Sequence, residues 1–336
     1  EGVDLARFPA IQFILDYFGC VEEITRNLEA KEATGLGMSG SYFMSNEEGR
    51  KFVFKPSEEE LGTVRNCPED APCAGIKPGT GAQREHVAFL LSKELKVPTP
   101  RTGLVRFMGQ VGSLQRFKSG CASTLPMHHA DNIKRLQNMT VEDVQATMLA
   151  DGVWNNTDRH LGNFLVDGES RAYAIDNGGI LTSSTEDPLK IELLLTPQGR
   201  EPITDELKKL YLHAPTDEWA ALMRRHGIEE RSIELMEKKI DFYHMALSLA
   251  DEEKVKLSAS DLAYFSMYEN AFISEATEEQ VYTLCHFIVE MKKKYIESLK
   301  LSPARKKAFA MLLVQNQYTD HRCVGLKYPG SNPDGA

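Results

Sequence analysis

Three side chains carrying oxygen, Asp158, Asn163 and Asp176, stand out by type and spacing. Asp158 precedes Asn163 by five positions, with Leu161 and Gly162 forming a small turn between them. The apolar run Phe164-Leu165-Val166 follows, then a turn at Asp167-Gly168, then Tyr173-Ala174-Ile175 and Asp176-Asn177-Gly178. This order reads as loop, strand, turn, strand, loop. A hairpin of that kind returns Asp176 to the side of Asn163. One carboxylate and one amide carbonyl suit Mg²⁺, which keeps part of its water shell. A separate carboxylate at Asp158 would orient an attacking hydroxyl. The chemistry that needs these three together is phosphoryl transfer. Taken singly, Asp158 and Asp176 read more readily as turn residues on a surface hairpin, so the elements around them carry the decision.

Those elements are ordered as phosphoryl transfer needs them. Gly35, Gly37 and Gly40 would let backbone amides approach phosphate. They precede an apparent hairpin, Tyr42-Phe43-Met44 and Lys51 to Lys55, rather than lying between strand and helix, which disfavours a dinucleotide-binding unit. Lys55 ends an apolar strand and would grip phosphates. A polar loop from Ser57 to Gly81 leads to a helix over 82–95, with Val87, Leu90, Leu91 and Leu95 on its apolar face. Glu85, placed in that helix's first turn, would pair with Lys55, although a carboxylate there also complements the helix dipole. Val97-Pro98-Thr99-Pro100 breaks the helix. A second hairpin, Thr102 to Phe107 and Val111 to Phe117, turns at Met108-Gly109-Gln110. Gln115 and Phe117 lie on the edge where backbone could bond an adenine, and Lys118 starts a connection between lobes. Thr140 caps a helix from Val141 to about Leu149, closed by Asp151-Gly152, that delivers the chain to Asp158.

The order Asp158-Arg159-His160, with Asn156, Gly162 and Asn163 around it and Ile175-Asp176-Asn177-Gly178 after it, resembles the phosphoinositide 3/4-kinase superfamily. Ordinary protein kinases place the His before the Asp. From the Gly35 loop to the helical C-terminal half, the chain resembles the actin-fragmin kinase family of atypical protein kinases, related in fold to phosphoinositide kinases. The resemblance implies an α+β, two-lobed, protein-kinase-like fold: a small, mainly antiparallel β lobe over 1–117 and a larger, mainly helical lobe over 118–336. It implies ATP as phosphate donor and Mg²⁺ held by Asn163 and Asp176. It implies Lys55, fixed by Glu85, on the phosphates, and Asp158 orienting the acceptor. Arg159, His160 and Asn177 would support the site. The acceptor implied is a Thr of actin in the actin–fragmin complex, with a Kelch-repeat region following the chain. Asn177 departs from the Asp-Phe-Gly of ordinary kinases, which removes the basis for an activation switch of that type. A soluble phosphatidylinositol 4-kinase is the competing reading. The stretch Gly179 to Gly199 opposes it, holding Glu186, Asp187 and Glu192 against Lys190 alone, where an anionic headgroup needs cations. A kinase-like scaffold without activity is the third reading, opposed by the complete residue set.

A chain of 336 residues exceeds one core and predicts two lobes. A hydrophobic content of 42% and a charged content of 26% belong to a soluble globular protein. The net charge of −10 argues against nucleic acid as a partner and against an anionic membrane surface. No apolar run is long enough to predict a membrane span. The six cysteines, Cys20, Cys67, Cys73, Cys121, Cys285 and Cys323, form no C-x-x-C pair, and with no secretory signal they predict free thiols in the cytoplasm. A start at Glu1 predicts an excised domain, and the Pro- and Gly-rich tail from Lys327 to Ala336 predicts a linker or frayed end.

The remainder predicts helices. One runs from Pro9 to Phe18, and a short one from Ile203 to Tyr211. Ile233, Met236, Ile240, Tyr243 and Leu247 mark another, and Val281, Leu284, Ile288, Met291 and Tyr295 a buried stripe. Ser258 to Asp261 and Thr277 to Gln280 read as capping boxes, and Ser302-Pro303 starts a last helix through Gln315. Lys292, Lys293 and Lys294 predict a solvated face late in their helix. His128, His129 and Asp131 read as exposed loop residues.

Overall fold

The alternation in Lys51-Phe52-Val53-Phe54-Lys55 puts two Phe on one face of a strand and two Lys on the other. In the computed structural model, which describes residues 29–33, 40–46, 48–60, 75–107, 109–123, 130–185 and 191–298, this strand is β3 (Lys51–Pro56). It lies at the middle of an antiparallel sheet with β1 (Glu29–Ala33), β2 (Tyr42–Ser45), β4 (Thr102–Phe107) and β5 (Gln110–Arg116), in the order β1-β2-β3-β5-β4. Phe52 and Phe54 bury against Met44, Val105 and Leu114 as a small core of their own. The opposite face carries Lys55 beside Ser113, and Val53 beside Gln115, as the β3–β5 register dictates. The sheet therefore uses its apolar face for stability and turns Lys55 towards the rest of the molecule.

Helix α1 (Gly81–Glu94) follows. Val87, Ala88, Leu91 and Leu95 do not join the sheet's core. They belong to the large core of the helical lobe, with Leu149 and Trp154. A second, three-stranded sheet of β6 (Ala122–Ser123), β7 (Phe164–Val166) and β8 (Ala172–Ala174) edges that lobe. Its helices are α2 (Ala130–Asn138), α3 (Val141–Val153), α4 (Pro197–Arg200), α5 (Asp205–Leu212), α6 (Thr216–Arg225), α7 (Glu230–Glu252), α8 (Ala259–Tyr268), α9 (Asn270–Glu275) and α10 (Glu278–Ser298). Helix α7 packs against α5, α6 and α10, and α3 packs against α8. Ile233, Met236, Ile240, Tyr243 and Leu247 are all buried on α7, each contributing about 1.5–3 kcal/mol of burial. The molecule is thus a two-lobed α+β fold of the kinase-like kind the resemblance implied.

Several boundaries differ from the sequence reading. Helix α3 does not stop near Leu149. It runs to Val153, because Asp151 and Gly152 are buried inside its last turn instead of forming a polar stop. Glu85 lies beyond the first turn of α1. The carboxylate that meets the helix N-terminus is Glu60, which accepts from the Gly81 and Ala82 N–H groups at 2.8 Å each. Tyr295 falls outside the buried stripe of α10 and is half-exposed. The capping box at Ser258 and Asp261 closes with both reciprocal bonds, as does the pair Thr277 and Gln280. Lys292 and Lys293 are paired with Asp261, Glu253 and Glu290. The expected helices over 9–18 and 303–315, the tail from 327, His128, His129, and Cys20, Cys67, Cys73 and Cys323 lie outside the described residues. Cys121 and Cys285 are free thiols. Among the described residues no helix is long and apolar enough to cross a membrane.

Candidate active site

The loop that carries Asp158 is built from buried polar groups. Asp151, in the last turn of α3, accepts from Asn156 Nδ2 at 2.7 Å and from Arg159 Nε at 2.9 Å. Asp151 and Arg159 are both sealed from solvent. Burial pushes the Asp151 carboxyl up, against the pull of Arg159 and Asn156. Asn156 Oδ1 then accepts the Asp158 N–H at 2.9 Å. Arg159 spends its remaining donors on Asn163 O at 3.2 Å, Ile175 O at 2.6 Å and Asn177 Oδ1. One guanidinium thus ties the Asp158 loop to both ends of the β7–β8 hairpin. Sequence reading gave Arg159 only a supporting role. Its adjacency to Asp158 concealed that it points inward as the hub.

The hairpin brings Asn163 and Asp176 together. Phe164 pairs with Ala174, and Ile175 N–H donates to Asn163 O at 3.0 Å. Asn163 Nδ2 donates to Asp158 O at 2.8 Å. That bond fixes which end of the amide is the donor and leaves Oδ1 as its acceptor. Asp176 sits in the left-handed region, at φ 55° and ψ 59°, a conformation uncommon for non-glycine residues that Asp enters more readily than most. The Asp158 carboxylate is half-exposed, with His160 Nε2 4.0 Å from its Oδ2. His160 Nδ1 accepts from Gly162 N–H at 3.0 Å, which places the ring proton on Nε2.

Lys55 closes the arrangement from the sheet. Its Nζ lies 2.6 Å from Glu85 Oε1 and 2.7 Å from Asp176 Oδ1. Burial works against the ammonium, but Asp176 and Glu85 outweigh it and hold the amine above its ordinary range. The same contact keeps the Asp176 carboxyl low, against its own desolvation. The amide oxygen of Asn163 and the carboxylate of Asp176 fit Mg²⁺ that takes its remaining ligands from phosphate and water. Among the described residues no cluster of three or more His, Cys, Asp or Glu side chains forms a metal site. A two-ligand site completed by a nucleotide is the kind this donor set suits.

The remaining sequence candidates divide. Gly35 and Gly37 lie outside the described residues. Gly40 packs on the turn after β3, its N–H donating to Glu59 O at 3.1 Å, and a Cβ there would run into the Glu59 side chain. Gln115 shares the Lys55 face, but its amide donates to Thr102 Oγ1 at 3.1 Å. Phe117 spends its N–H on Lys51 O at 2.9 Å and sets its ring edge-on to Phe43. The Phe117 N–H is therefore engaged within the sheet. Glu192, counted from sequence among the substrate-facing acids, turns inward and accepts from Leu161 N–H at 2.7 Å. Glu186, Asp187 and Lys190 lie outside the described residues. Sequence reading missed Arg84 and Glu60, both of which pack at the contact between α1 and the rest of the site. The sole hint was their position flanking Glu85 and the start of its helix.

No protein-family model and no curated protein sequence matches the chain. Among solved structures it is similar to the proinflammatory kinase CtkA of Helicobacter pylori, at 14% identity and a TM-score of 0.37, over 73% of this chain and 98% of that one.

Proposed function

We propose that the chain is an ATP- and Mg²⁺-dependent protein kinase that phosphorylates Ser or Thr, acting in the cytoplasm on a Thr of actin within the actin–fragmin complex. The observation that carries the phosphotransfer reading is the single ammonium of Lys55 spanning Glu85 and Asp176, with Asn163 oriented by Asp158 O a hairpin's width away. Lys55 binds the phosphates of ATP, and Glu85 keeps its ammonium aimed at them. Asn163 and Asp176 would hold Mg²⁺, which would supply charge neutralisation to the phosphates. Asp158 stands outside that pair, half-exposed, and accepts a hydrogen bond from the acceptor hydroxyl so that it lines up with the γ-phosphate. Catalysis of this class is positioning plus charge neutralisation, and the buried Asp151–Arg159–Asn177 network supplies the rigidity it needs.

Protein is preferred over lipid as acceptor because Gly179 to Gly199 contains one cation, Lys190. The inward turn of Glu192 removes one acid from the argument but leaves the shortage of cations unchanged. The order Asp158-Arg159-His160 favours the second reading, a soluble phosphatidylinositol 4-kinase. One assay separates them: the protein with labelled ATP and Mg²⁺, offered actin–fragmin or phosphatidylinositol vesicles. Label on actin Thr is the expected result. Label on lipid alone replaces this reading with the second, and no label on either sinks both.

A further inference from the structure

Arg84 neighbours Glu85 on α1, and its side chain is sealed from solvent. Nε donates to Thr80 Oγ1 at 3.2 Å. Nη1 donates to Ile180 O at 2.8 Å and to Leu181 O, and Nη2 pairs with the Glu229 carboxylate. Glu229 is the N-cap of α7. One guanidinium therefore joins the helix that carries Glu85, the backbone just after Asp176, and the start of the 23-residue helix α7. Burial pulls the Arg84 charge down, and Glu229 opposes that pull. A buried cation is costly unless fully paired, so packing alone would be served better by an apolar side chain.

The backbone gripped by Arg84 is anchored from both lobes. Leu181 N–H donates to Trp154 O at 2.5 Å. Asn155 Nδ2 donates to Thr182 O at 3.2 Å and Ser184 O at 2.9 Å. Ser183 gives its N–H and its Oγ to Gly75 O, at 3.0 and 2.8 Å. Helix α1, for its part, is seated in the core of the helical lobe through Val87 and Leu91. Lys55 reaches both carboxylates only while α1 and the Asp176 turn keep their spacing.

We propose that Arg84 is a positioning residue that clamps α1 to the segment following Asp176, so that Glu85 and Asp176 stand one ammonium apart before any nucleotide arrives. The site is then assembled in the resting protein, with no ordering step needed between helix and segment. The effect on turnover rests on the kinase reading above; the clamp itself does not.

The test compares the parent chain with R84M, R84K and E229Q. Peptide-resolved amide exchange without nucleotide is read beside phosphate transfer from labelled Mg-ATP. In R84M, exchange rises together over 81–88 and 177–184 while α7 and α10 stay protected. Turnover falls about 10²-fold, the scale of an ångström-sized misplacement, with the KM for ATP far less affected. R84K recovers part of the loss, because one ammonium keeps Glu229 but cannot span both carbonyls. E229Q, which leaves the carbonyl bonds in place, opens the two segments less than R84M does. Exchange that rises across the whole helical lobe, or in neither segment, overturns the clamp, as does an active parent whose R84M variant turns over at the parent rate. If the parent transfers phosphate to nothing but R84M still opens both segments together, the clamp stands and the kinase reading falls.

Discussion

The Lys55 ammonium bridges two carboxylates from different parts of the chain, 2.6 Å from Glu85 Oε1 and 2.7 Å from Asp176 Oδ1. The two bonds are not equivalent. Glu85 is buried at 3% side-chain exposure and Asp176 is exposed at 53%. Among the described residues Glu85 Oε2 has no hydrogen-bond partner, so Lys55 is what makes a buried Glu85 tolerable. Lys55→Met leaves that carboxylate uncompensated and is expected to cost about 3 kcal/mol. Glu85→Gln leaves Lys55 with Asp176 and is expected to cost about 1 kcal/mol. Urea unfolding of the two variants measures the difference. Equal losses would mean that Glu85 is stabilised by something other than Lys55.

Asp158 lies outside this ion-paired cluster, and its side chain is half-exposed. Asp158→Asn keeps the backbone bonds that Asn156 and Asn163 make to residue 158, so the fold and the nucleotide site should persist. Turnover is expected to fall by about 10²–10⁴-fold, the range for losing a positioned acid or base, with ATP affinity unchanged. Single-turnover transfer beside equilibrium nucleotide binding checks the split. A variant that binds less ATP but turns over normally would move Asp158 from the acceptor side to the nucleotide side.

Local patterns made much of this arrangement legible in the sequence. The alternation of Phe52 and Phe54 announced β3 and left Lys55 on its other face. The apolar runs around Asp167-Gly168 announced a hairpin, and hairpin geometry alone puts Asp176 beside Asn163. The hydroxyl and carboxylate spacing at Ser258 and Asp261 announced a helix start. What remained hidden depends on contacts far apart in sequence. Arg84 and Glu229 are 145 positions apart, and nothing local to either distinguishes a buried clamp from a surface Arg. Lys239 is similar: a cation within an amphipathic helix that proves to be buried, donating to Gly152 O at 3.0 Å and Asn155 Oδ1 at 2.7 Å. The end of α3 was misplaced because Asp and Gly favour turns locally, whereas burial beneath Tyr243 keeps them helical here.

His86 gives the fold an acid sensitivity. Its ring is buried, Nδ1 donates to Thr102 O at 2.9 Å, and the His226 ring lies edge-on at 5.0 Å. Burial lowers its pKa to about 4. Between that value and the ordinary value of about 6.5 the unfolded chain binds a proton that the folded chain does not. Stability therefore falls as pH drops through this window, by about 3 kcal/mol in total, and levels off below it. His226, lowered by burial and by Arg225, adds in the same direction. His86→Asn retains a donor for Thr102 O and should flatten most of the slope whatever its effect at neutral pH. Urea midpoints from pH 4 to 7 supply the comparison. An unchanged slope would assign the sensitivity to His226 alone.

The hydroxyl run Thr182-Ser183-Ser184-Thr185 follows Asp176, where the kinase reading proposed above would look for a phosphate-ordered segment, yet its first two hydroxyls face inward. Thr182 is buried and its Oγ1 accepts from Ser184 N–H at 3.1 Å. Ser183 Oγ donates to Gly75 O at 2.8 Å. A phosphate at Ser183 would remove that donor and press charge against a carbonyl, which disrupts rather than orders. Ser183→Glu should therefore lower both turnover and melting temperature, whereas Ser183→Ala loses a single bond worth about 1 kcal/mol. Gly75→Ala attacks the same junction from the other side. Gly75 has φ +62°, and a Cβ there would meet Ser184 N at 2.3 Å, so strain of about 1–3 kcal/mol is expected, and the segment should loosen without any change at the hydroxyls. The three variants together distinguish a pinned segment from a switch. Pinning requires Ser183→Glu and Gly75→Ala to lose activity in parallel, while a gain of activity in Ser183→Glu would make this run a phosphate-driven switch.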